Sequence, residues 1–305
     1  LKNPLIQVSS AQRTNLHYSM KRRPRNALPE VMKSLDSARG ASLIYVRTRR
    51  SVERWAELLS TQGIEAIPYH AGLSPEKRKK ALNKFLGDPS PVLVATIAFG
   101  MGVDRGDVGL VLHLNLPSTP EGYLQESGRA GRDGLPANCV VYFSPGDRTR
   151  LLWAMKKSGS IEKVGEHSRE EQLRIEVSFE QLRRMEAIAE GEICREQALL
   201  LAIGELVPPC GRCDRCKSTP ELRDWSKQAL EVLALIDRGK TLDLLSPESS
   251  LSEIRDGKEA WWGWLTRRLI QEELISESND GARSLTIKQA GHRYLTQPWP
   301  LHFAA

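Results

Sequence analysis

Val92-Leu93-Val94-Ala95-Thr96-Ile97-Ala98-Phe99-Gly100-Met101-Gly102-Val103-Asp104 joins a short unbroken apolar run to a loop carrying two glycines. A run of strand length with no polar alternation is what a strand buried on both faces requires. Outward from it the same kind of run recurs at Ser42–Val46, Ala66–Tyr69, Gly109–Leu114 and Cys139–Phe143. Between the runs, apolar residues fall at helical spacing over Leu28–Arg39 (Leu28, Val31, Met32, Leu35), Val52–Thr61 and Pro75–Leu86. Ser74 is placed to cap the last of these, with Pro75 at its first position. Buried strands alternating with helices define an α/β fold with a parallel sheet covered on both faces. Such sheets bind ligands beyond the carboxyl ends of their strands, and the reading puts the glycine-rich and charged segments there.

Gln125-Glu126-Ser127-Gly128-Arg129-Ala130-Gly131-Arg132-Asp133-Gly134 is the most loaded of these segments. Its two arginines lie three residues apart among glycines. Glycine lets a backbone approach a ligand closely, and a planar guanidinium grips phosphate oxygens through paired hydrogen bonds. The loop after Val94 can present backbone N–H groups and the Thr96 hydroxyl to phosphates, with Asp104 orienting an arginine or a ribose. His70, in Tyr69-His70-Ala71-Gly72-Leu73, is read as satisfying a turn. Gly239-Lys240-Thr241 mimics the end of a P-loop, but the required earlier glycine is Ala234 and no strand precedes it. It reads as a helix end, so the chain shows neither a Walker A lysine nor an Asp-Glu box.

Charge is unevenly spread. Residues 1–50 hold 11 Lys and Arg against Glu30 and Asp36, a net of +9, while the remainder holds 33 against 36 acids, a net of −3. A concentrated basic region suits a polyanion such as nucleic acid. No apolar run approaches the ~20 residues of a membrane span, and the first residues lack a signal-peptide layout. The missing start methionine suggests a piece of a longer protein. Of five cysteines, Cys210, Cys213 and Cys216 stand at two-residue gaps, and Cys194 is read as lying on the preceding helix. Four thiolates close a tetrahedral site, which fits structural Zn²⁺ in a reducing compartment. Cys139, inside a strand, reads as a small buried hydrophobe.

The remaining chain is helical over Glu170–Glu190, then forms helices at Trp225–Arg238 and Lys258–Glu273. A hairpin follows, with Leu274–Glu277 and Ser284–Ile287 about Asn279-Asp280-Gly281. Helices followed by a hairpin read as a winged helix. Trp262, Leu265 and Leu269 share one face of the second helix, which reads as core. Trp261, Trp264 and Arg268 share another, open either to base stacking or to packing.

Tyr69–Leu73, Val94–Asp104, Gln125–Gly134 and the four cysteines together resemble the C-terminal half of a RecQ-family DNA helicase. The resemblance runs along the whole chain and is strongest over residues 42–147 and 194–216. It implies the end of a first RecA-like domain and linker (1–20), a second RecA-like motor domain (21–147), a helical zinc-binding subdomain (148–220) and a winged helix (221–305). In it, Arg132 corresponds to the arginine finger, with Arg129 and Gln125 in nucleotide sensing, and Gly102 and Asp104 in ATP coupling. Thr48, Arg49, Thr96 and Gly100 correspond to single-stranded DNA contacts; Arg47 and Arg50 add nearby charge. Arg267 and Arg268, on the second winged-helix helix, correspond to duplex contacts, along with the wing at 279–283. Where the family's fourth motif reads Cys-Asn-Ser-Arg, this chain has Val46-Arg47-Thr48-Arg49. The implied activity is that of an ATP-dependent 3′→5′ DNA helicase of recombination and repair. Zn²⁺ is its structural ion, and ATP and Mg²⁺ are held mainly by another lobe. The implied partners are single-stranded and fork DNA, and the implied setting is a bacterial cytoplasm or a nucleus. The competing expectation is a non-enzymatic, zinc-stabilised winged-helix DNA-binding module.

Overall fold

The computed structural model describes residues 10–97, 99, 104–144, 146–148, 150–151, 169–218, 221–238, 259–278 and 284–304. Gly100, Gly102, the Gly239–Thr241 segment and the wing at 279–283 lie outside these residues. The chain divides into two compact units, Leu1–Thr219 and Pro220–Ala305.

In the first unit, β1 (Leu16–Arg22), α1 (Leu28–Asp36), β2 (Ala41–Tyr45), α2 (Arg49–Ser60), β3 (Ala66–Tyr69) and α3 (Pro75–Gly87) come first. Next are β4 (Val92–Ala95), β5 (Val108–His113), α4 (Pro120–Ser127) and β6 (Ala137–Phe143). The helices α5 (Arg169–Glu190), α6 (Arg195–Ala202) and the single turn α7 (Asp214–Lys217) follow. The strands form one sheet in the order β1-β6-β5-β2-β4-β3, and every pairing is parallel. Ser74 does cap α3, its side chain accepting from the Lys77 N–H. Each Leu, Val or Ile taken fully out of water here contributes about 1.5–3 kcal/mol, so the sheet's two apolar faces are its main stabilising term.

The two faces are covered differently. Ile44, Val46, Val94, Leu110 and Leu112 point to the face packed by Val31 of α1 and by Val52, Ala56 and Leu59 of α2. Leu43, Leu93, Val111, Cys139 and Val141 point to the other face. There they meet Phe85 of α3 and Tyr123 of α4, in one cluster with Met185 of α5, Leu199 of α6 and Cys213. The cysteine-bearing subdomain thus shares its core with the sheet, and the expected boundary at residue 148 does not divide the packing. Burial pushes the Cys139 thiol up to about 12, as suits a core residue.

Residues 16–20, expected to belong to the linker at 1–20, form a sheet strand together with Lys21 and Arg22. Leu16, Tyr18 and Met20 are buried while His17 and Ser19 are half-buried, an alternation that fits an edge strand with one well-covered face. Its open edge is not left for another chain to pair with. Arg212 Nε donates to Leu16 O at 3.0 Å, and the Met20 N–H donates to Asp214 Oδ2 at 3.1 Å.

The second unit contains β7 (Leu222–Asp224), α8 (Ser226–Asp237), α9 (Glu259–Gln271), β8 (Ile275–Glu277), β9 (Leu285–Ile287), α10 (Gln289–Thr296) and β10 (His302–Ala304). β8 and β9 form the expected antiparallel hairpin, with Ser276 opposite Thr286. β7 pairs antiparallel with β10, a closure that sequence reading missed along with α10. Its core gathers Val232, Leu233, Trp262, Leu265, Leu269, Ile275 and Tyr294.

Candidate functional site

The arginine motif starts on a helix. Thr119 caps α4 by accepting from the Gly122 N–H at 2.9 Å, with Pro120 next, so Gln125 and Glu126 lie within the helix. The chain then folds into a turn fixed by the strands' amino ends. The Gly131 N–H donates to Val108 O at 2.9 Å and the Asp133 N–H to Gly106 O at 3.2 Å. Arg39, just before β2, grips Asp133 through two bonds of 2.7 and 2.8 Å. That guanidinium holds the Asp133 carboxyl below the usual carboxylate range. The turn therefore lies at the amino ends of the strands, which corrects the expected carboxyl-end position. The reason is α4, which carries the chain back along the sheet before β6 begins. At the tip Arg132, 37% exposed, donates through Nη1 to Asp104 Oδ1 at 2.7 Å. Asp104 thus meets an arginine, one of its two expected roles.

Deeper along α4, Glu126 Oε2 lies 2.7 Å from His113 Nε2. The His113 ring stacks on Tyr45, centroids 4.9 Å apart, and meets Tyr123 edge-on. Burial pushes the Tyr45 hydroxyl up to about 12, while the Arg129 guanidinium beside it pulls the other way. Arg129 is half-buried in this aromatic and ionic patch, whereas Gln125 is exposed. His113 and Glu126 were missed because a histidine within an apolar run and a glutamate on a helix give no separate signal.

The opposite, carboxyl end of the sheet carries a basic rim. Thr48 caps α2, its Oγ1 accepting from the Ser51 N–H at 3.1 Å, so its hydroxyl is committed to the helix start. Arg49, Arg50 and Arg54 follow on exposed positions, and Lys77, Lys79 and Lys80 of α3 are exposed as well. Arg49 lies against Gly72, where a Cβ would come within 3.0 Å of its guanidinium. Thr96, half-buried, donates its N–H to Tyr69 O at 3.3 Å. His70 is bonded on both nitrogens, to Glu53 at 2.8 Å and to the Gly72 N–H at 3.1 Å, as a turn residue. Arg47 does not join this rim. It turns inward, donating to Asp147 O at 3.1 Å and Leu116 O at 3.0 Å. Asp147 itself is fully buried and accepts from Arg23 Nη2, Leu116 N–H and Ser144 N–H at 2.8, 3.1 and 3.0 Å. That latch ties together the carboxyl ends of β1, β5 and β6.

The four cysteines converge. All four sulfurs lie within 4.8 Å of one another, with Cys213–Cys194 at 3.9 Å and Cys210–Cys216 at 4.0 Å. Zn–S bonds of about 2.3 Å in a tetrahedron put sulfurs about 3.8 Å apart, so the set fits Zn²⁺. Backbone N–H groups of Cys210, Arg195, Cys213 and Cys216 point at these sulfurs at 3.2, 3.4, 3.3 and 3.4 Å, a donor shell suited to thiolates. Cys194 sits one residue before α6 as its N-cap, not on α5 as expected, because Gly191 ends the longer helix.

In the second unit, Arg267 and Arg268 are 8% and 6% exposed, which corrects their expected place on DNA. The Arg268 guanidinium lies 4.6 Å over the Phe303 ring and donates to Gln271 at 2.9 Å, its stem packed as core. Trp264 is likewise buried, 4.9 Å from the Trp225 ring, which settles its face as packing. The Trp261 side chain lies outside the described residues.

Residues 24–134 match the family described as helicase conserved C-terminal domain, and residues 145–217 match the RecQ zinc-binding family. The chain is 37% identical over 201 residues to the ATP-dependent DNA helicase RecQ of Bacillus subtilis, covering 66% of this chain and 32% of that protein. It is 36% identical over 241 residues to the RecQ helicase of Pasteurella multocida, covering 78% and 36%. The chain thus spans about a third of the length of these relatives. A solved structure of the Escherichia coli DEAD-box protein SrmB, bound to RraA, overlaps 42% of this chain and 76% of its own at 24% identity, with a TM-score of 0.38.

Proposed function

The chain belongs to the RecQ family, as a helicase C-terminal region, and from that premise we propose that it is the second motor lobe and DNA-gripping part of an ATP-dependent 3′→5′ DNA helicase. The observation that carries the reading is Arg132, presented at the surface on a turn whose backbone is bonded to Val108 and Gly106. A guanidinium so held can meet a phosphoryl group arriving from a second lobe and stabilise the charge that develops there. Asp104 keeps the side chain extended until that partner competes for it. Gln125 and Arg129 act in sensing the nucleotide, with Arg129 transmitting through Glu126, His113 and Tyr45. ATP, held with Mg²⁺ mainly by the other lobe, would supply the phosphoanhydride bond that is hydrolysed, with Mg²⁺ neutralising phosphate charge.

On the opposite end of the sheet, Thr48, Arg49 and Thr96 hold the single-stranded DNA backbone. Opening and closing of two lobes would then move the strand. Cys194, Cys210, Cys213 and Cys216 would hold a structural Zn²⁺, a closed set with no position left for catalysis. The second unit is a winged helix that binds duplex DNA at a fork. Work on recombination and repair intermediates follows, in a bacterial cytoplasm or a nucleus.

The test is Arg132→Ala in the full-length protein. DNA-stimulated ATP hydrolysis should fall about 10³-fold or more, the range of arginine fingers. DNA affinity should stay within about twofold, since an arginine acting on the nucleotide makes no phosphate-backbone contact. Loss of DNA binding with ATP hydrolysis intact would make Arg132 a backbone contact and sink the proposal.

A further inference from the structure

Between the metal loop and the arginine turn runs a strap of six residues, 10–15. We propose that Arg13 and Asn15 on this strap, with Arg212 of the metal loop behind them, are positioning residues that set where Arg132 points. The proposal deepens the reading of Arg132 as the arginine that meets the nucleotide, and it rests on that reading.

On one side the strap holds the turn. Asn15 Nδ2 donates to Gly131 O at 2.7 Å and to Leu135 O at 2.9 Å. Arg13 Nη2 donates to the same Gly131 O at 2.7 Å and to Ala130 O at 3.4 Å. The carbonyl immediately before Arg132 is therefore bonded twice, which fixes the plane of the Gly131–Arg132 peptide. Gly131 adopts φ +56°, and a Cβ there would lie 2.5 Å from Asn15 Nδ2 and 2.8 Å from Leu135 O. The strap and turn thus touch so closely that only glycine fits between them.

On its other side the strap is held by the cysteine-bearing subdomain. Arg212, between Cys210 and Cys213, donates through Nη2 to Arg13 O at 2.9 Å and through Nε to Leu16 O at 3.0 Å. The same guanidinium pairs with Glu196 of α6. Glu196 also accepts from Gln12 Nε2 at 3.2 Å, and Glu205 accepts from the Ala11 N–H at 2.9 Å. Arg212 is itself placed by the loop, its N–H lying 3.5 Å from Cys210 Sγ. A continuous set of directional bonds thus leads from the cysteine loop to the peptide that carries Arg132. Misplacing a catalytic group by about an ångström can cost about a hundredfold in rate, so a brace of this kind acts on turnover more than on binding.

The experiment compares Asn15→Ala, Arg13→Ala and Arg212→Gln, with Asn15→Ser as the milder variant should the first not fold. Amide hydrogen exchange on this chain comes first. Each variant should speed exchange at Gly131 and Asp133 about threefold to tenfold, the worth of one or two lost hydrogen bonds, with metal content unchanged. Unchanged exchange at both amides overturns the strap, whatever Arg132 does. In the full-length protein, kcat for ATP hydrolysis should fall about tenfold to a hundredfold with KM for ATP within about twofold. The double variant Asn15→Ala with Arg132→Ala should be no slower than Arg132→Ala alone, because the strap acts through that residue. Additive losses would show a general structural effect and overturn the proposal. If Arg132→Ala is itself without effect on ATP hydrolysis, the catalytic reading of the turn fails, and the exchange rates still decide whether the strap sets it.

Discussion

The arginine turn and the basic rim lie at opposite ends of one sheet and are built on opposite principles. At the amino end, Gly131, Arg132 and Asp133 are held by bonds from Asn15 and Arg39 and to Gly106 and Val108, with Gly131 in a conformation that only glycine adopts freely. At the carboxyl end, Thr48 closes its own helix and the arginines after it lie exposed in a row. The difference follows the chemistry each region is suited to. A group that must meet one developing charge needs a fixed position, because misplacement forfeits stabilisation. Groups that follow a phosphate backbone need charge and reach, which long exposed side chains provide without a rigid frame.

Removing the metal should separate the two ends most sharply. Cys213→Ser is expected to abolish bound zinc in metal analysis. Structural zinc in small fingers contributes about 10–16 kcal/mol of apparent binding energy, so the loop should unfold. With it go the bonds from Arg212 and Asp214 to β1, and amide protection should fall at Met20 and Gly131. The Ser51 amide, capped by Thr48 at the other end, should keep its protection. Equal losses at both places, or unchanged zinc, would break the contrast.

Much of the sheet and of the cysteine site was legible in the sequence, but the contrast between the two ends was not. Five of the sheet's strands are unbroken apolar runs because both of their faces are covered, and the cysteine spacing carries its own geometry. What escaped reading depends on partners far away in sequence. β1 looks like basic tail because an edge strand buries only Leu16, Tyr18 and Met20, and its neighbour β6 lies over a hundred residues on. The arginine motif was placed at the wrong end of the sheet because α4, opened by Thr119 and Pro120, was not recognised as the element that reverses the chain. Arg267 and Arg268 were placed on duplex DNA by the family resemblance, which carries no information about which face of the helix this chain buries. An aromatic plane at Phe303, supplied by the last strand, makes burial tolerable for Arg268. Arg13 and Asn15 offered no signal, since their acceptors are backbone carbonyls of the distant turn.

A smaller effect tests how tightly the amino end is built. Gly131 and Gly134 both have positive φ, +56° and +81°, but only Gly131 has atoms where a Cβ would go. Gly134→Ala should therefore cost only the left-handed backbone term, about 1–2 kcal/mol. Gly131→Ala should cost more than that in urea unfolding of the first unit, because Asn15 must also withdraw from its two carbonyls. Equal costs would mean that the strap gives way easily and that the turn is less constrained than its bonds indicate.

The smallest change in stability belongs to the rim. Arg49→Ala removes an exposed side chain whose near neighbour is Gly72, and unfolding should shift by no more than about 0.5 kcal/mol. Its effect should appear in DNA binding instead. If Arg49 neutralises one phosphate of a single strand, the slope of log affinity against log salt should become shallower by about 0.7, equally for every sequence. Arg132→Ala at the other end should leave that slope where it was, since a residue that answers to a nucleotide releases no counterions from DNA. A salt slope that responds to Arg132 and not to Arg49 would reverse the assignment of the two ends, and with it the reason for their different construction.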